Sequence, residues 1–482
     1  MPVNTPCNHY KKNKDKWFKC RTAAAGEDAV KEAGVSILPA LTEQNGVEYN
    51  AYKGRALFYG ATGRTVDGLL GAIFRKSPQI EQKQGRIKEE LKSVTPDYQD
   101  CDNFASQMVY EILICGRVGV LVDAPANDAG KAYLATYQTE SIINWRLQDT
   151  GRGLALSLVV LEEEYDEAGD DQFVTETKQQ YRVLELTEDG VYQQRVFRAH
   201  VAGERKEDEN TEYAEVEDAT VIPQVGGRAL DYIPFMFVNA VDTTTRIYDA
   251  PILALANVNF SHYRSSADLE HGRHFTGLPT AWVAGFDKKD VLRIGSQIAW
   301  ISEDSDAHAG YLEFTGQGLG SLENALKEKQ EMMAVLGARM LEDTKKVVES
   351  DKTLSTRYRG ENNVLSSIAK TASGALSTLF TWLMEWRGIS TKITVQLNTD
   401  FINDRLSAKE VKELMESWQG GSFSWEVLFY NYKRGEVYPE DIDMEEEKNR
   451  MANEVDMDVR SRTDEKVDAT DRVDGELSVD VV

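Results

Sequence analysis

Two runs of apolar residues at three- and four-residue spacing, set on either side of a short β-rich stretch, constrain this chain more than any other feature. In the first, Asp249 reads as an N-cap with Pro251 in the first turn, and Leu253, Ala256, Phe260, Tyr263 and Ala267 fall on one helical face until Gly272, Gly277 and Pro279 end the helix. In the second, SLENALKEKQEMMAVLGARMLED, the stripe is Leu322, Leu326, Met333, Leu336 and Met340. At 1.5 Å per residue each helix is about 35 Å long. The pattern predicts an antiparallel pair with the intervening stretch at its tip. That stretch holds TAWVAG, QIAWIS and YLEFTG as strands and DKKDVLRI as a short helix or turn.

A third stripe, Leu365, Ile368, Ala372, Ala375, Leu379, Leu383 and Trp386, is the most sustained in the chain and predicts a spine helix from near Glu361. Between it and the second helix, TKKVVESDKTLSTRYRG breaks the pattern and gathers positive charge in a loop. SAKEVKELMESW and SFSWEVLFYNYKRG read as shorter helices after the spine. Ahead of the pair, NFASQMVYEILICGRVGVLVDAP reads as a helix through about Cys115 followed by a strand through Asp123. The runs YLATYQ, LALSLVVLEEEY, QQYRVLEL, VYQQRVFRAHV and IPFMFVNA then predict a β region reaching about Ala240, with ERKEDENTEYAEVEDA as a polar loop. The class is therefore α+β.

The stretch FYGATGRTVDGLLGAIFRKSP raises the question of a phosphate loop. Such a loop needs spaced glycines and a lysine that reaches the terminal phosphates, but Arg64 stands at the lysine position and Phe58 at the first glycine. The apolar residues Leu69, Leu70, Ile73 and Phe74 instead describe one buried helix face, so the segment reads as packed helix with glycines at close contacts. In SHYRSSADLEHGRHF, His262, His271 and His274 could join Asp268 or Glu270 around a metal, or simply sit near a helix C-terminus where imidazoles favour the dipole. The acids Glu162, Glu163 and Glu164 read as a solvated face in so acidic a chain. No nucleophile elbow, zinc-protease motif or dinucleotide fingerprint is present, so the chain reads as no enzyme and calls for no cofactor.

With 482 residues the chain has room for about two to four domains. No apolar run approaches the ~20 residues of a membrane span, and MPVNTPCNHYKKNK lacks the apolar core of a secretory signal, so a cytoplasmic place of synthesis is expected. Four cysteines without a C-x-x-C pair are expected to stay reduced, although Cys7, His9 and Cys20 together could be asked to hold zinc. A net charge of −25 excludes a protein that coats duplex, yet leaves room for a local basic element, because charges are screened over about 8 Å. From Glu440 to Val482 there are sixteen acids against six bases, which predicts an acidic tail without a packed core.

The order helical base, β-rich region, long helix, small β insert, long helix, polar loop, spine helix and terminal helices resembles that of the portal proteins of tailed bacteriophages. RALFYGATGRTVDGLLGAIFRKSP, GRVGVLVD, ESIINW, HYRSSADLEHGRHFTGLPTAW, IGSQIAW, YLEFTGQG and LGARMLE resemble one portal-like family of phage and prophage head–tail connector proteins, over about Tyr49 to Phe401. The resemblance implies a portal fold with a helical and then β-rich wing (49–248), a first stem helix (249–278), a small α/β clip (279–320) and a second stem helix (321–343). It continues with a tunnel loop (344–360), a long wing helix (361–390) and a helical crown (391–439). An N-terminal arm (1–48) and the acidic tail (440–482) lie outside it.

By the same resemblance the chain would form a ring, usually of twelve, at the unique vertex of a virion capsid. It would conduct double-stranded DNA during packaging and ejection, and contact capsid protein, scaffold, terminase large subunit and a head–tail adaptor, with no membrane partner. Lys345, Lys346, Lys352, Arg357 and Arg359 in the tunnel loop are then the candidates for sequence-independent phosphate contacts. Twelve copies would carry roughly −300, and like-charge repulsion suits a conduit along which DNA must slide. The alternatives are a metal-dependent hydrolase using His262, His271 and His274, and a head–tail adaptor without a portal role.

Overall fold

In the computed structural model the chain is described apart from residues 1, 82–84, 126–130, 150, 152, 169–172, 174, 200–211, 278–279, 287–299, 303, 313–315, 317, 340–363, 400, 402–405, 407, 436, 439–441, 443 and 452–482. It divides into two compact units, Met1–Phe401 and Ile402–Val482. The described elements mix helix and sheet, as the sequence predicts.

The first unit opens with helices α1 (Asn8–Ala25), α2 (Glu27–Glu32), α3 (Gly46–Arg55) and α4 (Ala61–Ile73), the short strand β1 (Gln79–Ile80) and the helices α5 (Gly85–Glu90) and α6 (Cys101–Cys115). Strands β2 (Arg117–Asp123) and β3 (Tyr133–Gln138) follow. A run of strands comes next: β4 (Ile142–Asp149), β5 (Leu154–Ala168), β6 (Thr175–Leu186), β7 (Tyr192–Ala199) and β8 (Tyr213–Glu215). The small hairpin of β9 (Gln224–Val225) and β10 (Arg228–Ala229) leads to β11 (Phe235–Asn239). Two sheets result, a three-stranded one in the order β11-β2-β3 and a five-stranded antiparallel meander β4-β5-β6-β7-β8.

Strand β2 shows why the sheets lie where they do. All seven of its residues are buried, because Val118, Val120 and Val122 join the helical core while Leu121 joins a second core against the meander. An unbroken apolar run such as GRVGVLVD is what a strand covered on both faces requires. The second core is filled by Phe235 and Phe237 from β11 and by Val159, Leu161 and Leu184 from β5 and β6. On the opposite face of the meander Val160, Tyr181 and Val183 form a third cluster, as the two-residue period of a strand dictates. Gly119 is needed for this approach: a Cβ there would lie 2.3 Å from the Phe235 ring and 2.7 Å from Ile142. Gly116 ends α6 in the left-handed region at φ 75° and returns its N–H to the Ile112 carbonyl at 2.8 Å.

Helices α7 (Leu253–Gly277) and α8 (Leu319–Arg339) flank the hairpin of β12 (Thr280–Ala284) and β13 (His308–Leu312), and α9 (Val364–Trp386) runs through the helical core. Leu365, Ile368, Ala372, Ala375, Leu379 and Leu383 of the predicted spine are all buried. On another side of α9 the stretch 393–397, which contains β14 (Val395–Gln396), runs back along the helix. Ile393, Val395 and Leu397 bury their side chains, and their N–H groups donate to Thr381 Oγ1 (3.1 Å), Ser377 Oγ (2.8 Å) and Ser373 Oγ (3.0 Å). Each hydroxyl in turn donates to the carbonyl four residues before it. Residues after Thr391, expected to open the crown, therefore lie against α9 as far as Leu397. Just past the helix, Arg387 sits with its side chain 5% exposed and donates to the carbonyls of Glu90, Ser93 and Ala132 and to the Glu90 carboxylate.

Other buried charges are compensated in the same way. Arg21 lies between Glu111 and Glu140, and Arg182 between Asp123 and Glu163. Glu163 also accepts from Tyr137 and Gln180, so this acid turns inward and does not belong to a solvated face. Arg117, 1% exposed, instead lies over the Phe237 and Trp145 rings at 3.7 and 4.5 Å, and burial pushes its guanidinium down to about 9.

The second unit contains α10 (Ala408–Gln419) and α11 (Trp425–Arg434). They meet through Trp418 and Trp425, whose rings lie 5.8 Å apart, and through Tyr432, whose hydroxyl donates to the Val411 carbonyl at 3.4 Å.

Replacing a buried acceptor strands its donor at a cost of about 1–3 kcal/mol. Ser377→Ala is thus expected to lower unfolding stability by that amount, because the buried Val395 N–H loses its partner. Thr378→Ala, which removes only a bond back to Gly374, should change it by less than about 0.5 kcal/mol. Chemical denaturation of the two variants checks this, and equal midpoints would refute the ladder's role. By the same measurement Gly119→Val should be among the most damaging single changes.

Candidate functional site

The α7–α8 pair and its hairpin form the part of the molecule that the sequence singles out. The helices have 25 and 21 residues, so each is about 30–38 Å long. α7 begins at Leu253, four residues after Asp249, whose carboxylate pairs with Lys16 of α1 at 2.6 Å. Gly272 does not stop the helix. A Cβ there would lie 2.6 Å from Leu319, so this glycine lets α8 approach beside the hairpin. At the other end of α8 Gly337 meets Thr65 of α4, whose Gly63 in turn lies so close to α1 that a Cβ there would come within 2.7 Å of the Ala24 carbonyl oxygen. Of the two glycines in the FYGATGRT stretch, Gly63 therefore serves helix packing, whereas Gly60 has open space beside it.

In the hairpin Trp282 pairs across from Gly310, and its indole covers that glycine, where a Cβ would come within 2.9 Å of Nε1. β13 starts three residues before the predicted YLEFTG strand. Of QIAWIS only the last three residues are described, and they lie outside the hairpin's ladder, with Ile301 85% exposed. Trp282 and Tyr311 are also exposed.

The seam between the two helices is polar. Lys329 of α8 donates to the Ser261 carbonyl and the Ser265 hydroxyl, Gln330 meets His262 Nε2 at 3.2 Å, and Arg273 bridges Glu270 and Glu323. Burial holds His262 below the ordinary imidazole value, and the Lys329 charge adds to the effect. Burial likewise lowers Lys329, with Asp268 opposing it. On its other side α7 is fastened to the N-terminal helices: Asn259 donates to Thr62 at 2.9 Å, Tyr52 to Asp268 at 2.6 Å, and Arg55 Nη2 meets His271 Nδ1 at 3.2 Å. The apolar stripe read from the sequence missed these contacts. Their one signal was the set of polar residues Asn259, His262 and Ser266 on the face that proves buried. α8 is covered much less: Met333 is buried, whereas Met332 and Val335 are 54% and 49% exposed.

The three candidate histidines are not brought together. His262 faces Tyr59 and Gln330, His271 packs on Tyr52, and His274 lies edge-on to Phe275. Among the described residues no group of three His, Cys, Asp or Glu side chains is arranged to hold a metal ion. Cys20 is buried and Cys7 caps α1 by accepting from the Tyr10 N–H, and both thiols are free. Lys345, Lys346, Lys352, Arg357 and Arg359 lie outside the described residues. No described helix is long and apolar enough to cross a membrane.

Residues 251–387, the span from the start of α7 through α9, match a family described as a domain of unknown function, DUF4055. No curated protein matches the chain. Among solved structures, the neck of an empty GTA particle computed with C6 symmetry is 12% identical with a TM-score of 0.37, covering 79% of this chain and 91% of that one. The neck of a native GTA particle computed with C12 symmetry is 11% identical with a TM-score of 0.34, covering 76% and 86%. The virion of a native gene transfer agent particle is 12% identical with a TM-score of 0.35, covering 82% and 95%. A likeness this remote assigns neither a function nor an assembly.

Because the folded-state pKa of His262 lies below its ordinary value of about 6.5, the unfolded chain binds more protons just below that pH. Its contribution to stability is therefore present above about 6.5 and lost as pH falls through the depressed value. The stability of the wild type relative to His262→Gln, followed by denaturation between about pH 7.5 and 5, should fall with pH. A difference that stays constant across this range would show that His262 is not held neutral in the seam.

Proposed function

We propose that this chain is a structural ring subunit of a phage-like head–tail connector, a portal protein through which double-stranded DNA passes, and not an enzyme. The observation that carries the reading is the long α7–α8 pair closed by a two-stranded hairpin and followed by α9, the order in which a portal's stem, clip and wing occur. Of the sequence segments that resemble the portal-like family, HYRSSADLEHGRHFTGLPTAW lies on α7 and β12, while RALFYGATGRTVDGLLGAIFRKSP, GRVGVLVD and ESIINW lie on α4, β2 and β4. The weakly covered α8 supports a role in assembly, since Met332 and Val335 offer apolar surface that a neighbouring copy could bury. In this reading the ring is a dodecamer at the unique capsid vertex, the exposed hairpin docks terminase and later the tail adaptor, and the five basic residues of 345–359 touch phosphates. The net charge of −25 on each copy keeps the channel from holding DNA tightly.

Electron microscopy of the purified protein should show annular particles with a central hole, of several hundred kilodaltons against 54.1 kDa for one chain. Compact monomers under every assembly condition would overturn the proposal. Met332→Glu combined with Val335→Glu should convert rings to monomers without changing the circular dichroism spectrum, because neither side chain is needed by the core. Joint neutralisation of Lys345, Lys346, Arg357 and Arg359 should leave rings intact while impairing genome packaging or retention, and undiminished packaging would remove the phosphate-contact role.

A further inference from the structure

Helix α1 carries a face that neither its fold nor the ring reading uses. Lys11, Lys14, Phe18, Arg21 and Ala25 recur at spacings of three and four and so share one side of the helix, while Trp17, Cys20 and Ala23 on the other side enter the core. Lys11, Lys12 and Lys14 are exposed and Lys19 is half-exposed, and among the described residues none of the four makes an ion pair. Of the four, Lys11 and Lys14 lie on the face with Phe18, whereas Lys12 and Lys19 lie about 100° and 80° round the helix from Lys11, with the exposed Asp15 between. Arg21 differs, being committed to Glu111 and Glu140.

The same face runs on into a groove of about 560 Å³ between α1, α2 and the end of β3. Phe18, Ala25, Ala29 and Ala33 line it with apolar surface, and Phe18 is 44% exposed. At its far end stand the exposed acids Asp28 and Glu32. From the amino end of α1 to α2 the surface is therefore basic, then apolar, then acidic. A duplex of uniform phosphate charge could use the lysines but could neither fill the apolar groove nor tolerate the acids beyond it.

We propose that this face docks an acidic, amphipathic segment of a partner protein, with its carboxylates over Lys11 and Lys14 and its apolar residues in the groove beside Phe18. Charge complementarity sets the direction of the segment, because its acidic half must avoid Asp28 and Glu32. The proposal is independent of whether the chain forms a ring.

The test is fluorescence anisotropy of the full chain with a labelled synthetic peptide of roughly sixteen residues, about 24 Å as a helix, with glutamates in one half and leucines and alanines in the other. Saturable binding is expected, weakening with salt and falling at least about tenfold in Lys11→Glu/Lys14→Glu, as loss of steering charges does. Ala29→Glu, which puts a charge into the groove while the lysines remain, should weaken it as well. Circular dichroism must show both variants folded, and Lys11→Gln/Lys14→Gln provides a second charge variant should one misfold. Equal binding of a scrambled peptide or of one with lysines for glutamates would overturn the proposal. So would tighter binding of a duplex DNA of about 20 base pairs that competes for the same lysines, which would assign the face to nucleic acid. Protection of Lys11 and Lys14 from acylation in self-association alone would assign it to a second copy and likewise overturn it.

Discussion

The match between the rise of a helix and the rise of a strand holds the centre of this molecule together. Four residues of α9 advance about 6.0 Å and two residues of an extended chain about 6.6 Å, so hydroxyls at every fourth helical position stay nearly in step with every second N–H of the strand. Ser373, Ser377 and Thr381 exploit this over three contacts. The stretch 393–397 thereby satisfies N–H groups that would otherwise need a full neighbouring strand, and Ile393, Val395 and Leu397 can enter the core. The apolar side of α9 is left to pack on α6 and the β2 sheet, and Arg387 beyond its end ties two separate stretches of backbone, 90–93 and 132, into the same place.

The α7–α8 seam is built on the opposite plan. Its contacts are lysine to hydroxyl, glutamine to imidazole and arginine to carboxylate, each worth about 1 kcal/mol or less when water competes. α7 draws its stability from the other side, where Asn259, Tyr52 and Arg55 fasten it to the N-terminal helices. Among its described side chains α8 buries one large residue, Met333. A long helix held so lightly by its own chain is suited to contacts with a neighbour, which is the property the ring reading uses.

Charge is distributed with similar economy. Inside, arginines are met by carboxylates from distant parts of the chain or, for Arg117, by aromatic faces. Outside, the acidic excess is interrupted by lysines of α1, of which Lys11 and Lys14 make no ion pair among the described residues. Internal pairing fixes which elements meet, whereas unanswered charge is available for recognition.

Local pattern alone revealed the type and approximate limits of most elements: the spine stripe, the α6–β2 boundary at Cys115, strands β5, β6 and β7 of the meander and the two long helices, but it read β8 as part of a polar loop. These follow from periodicity, which neighbouring residues impose on one another. The same reading counted Gly272 with Gly277 and Pro279 as ending α7, although the helix passes Gly272 and ends at Gly277, and it turned Glu163 to solvent. The two departures share a cause, since Leu319 and Arg182 lie far away in the chain and only folding brings them to these positions. Strand β4 and the polar seam went unread for a related reason, because a polar residue announces a buried hydrogen bond only once its partner is known. The sequence by itself determined the alternation of helix and strand and the surplus of negative charge. Which glycines admit a neighbouring helix, which acids face inward and which hydroxyls hold a strand were decided by tertiary structure, because each depends on contact between residues that local periodicity cannot connect.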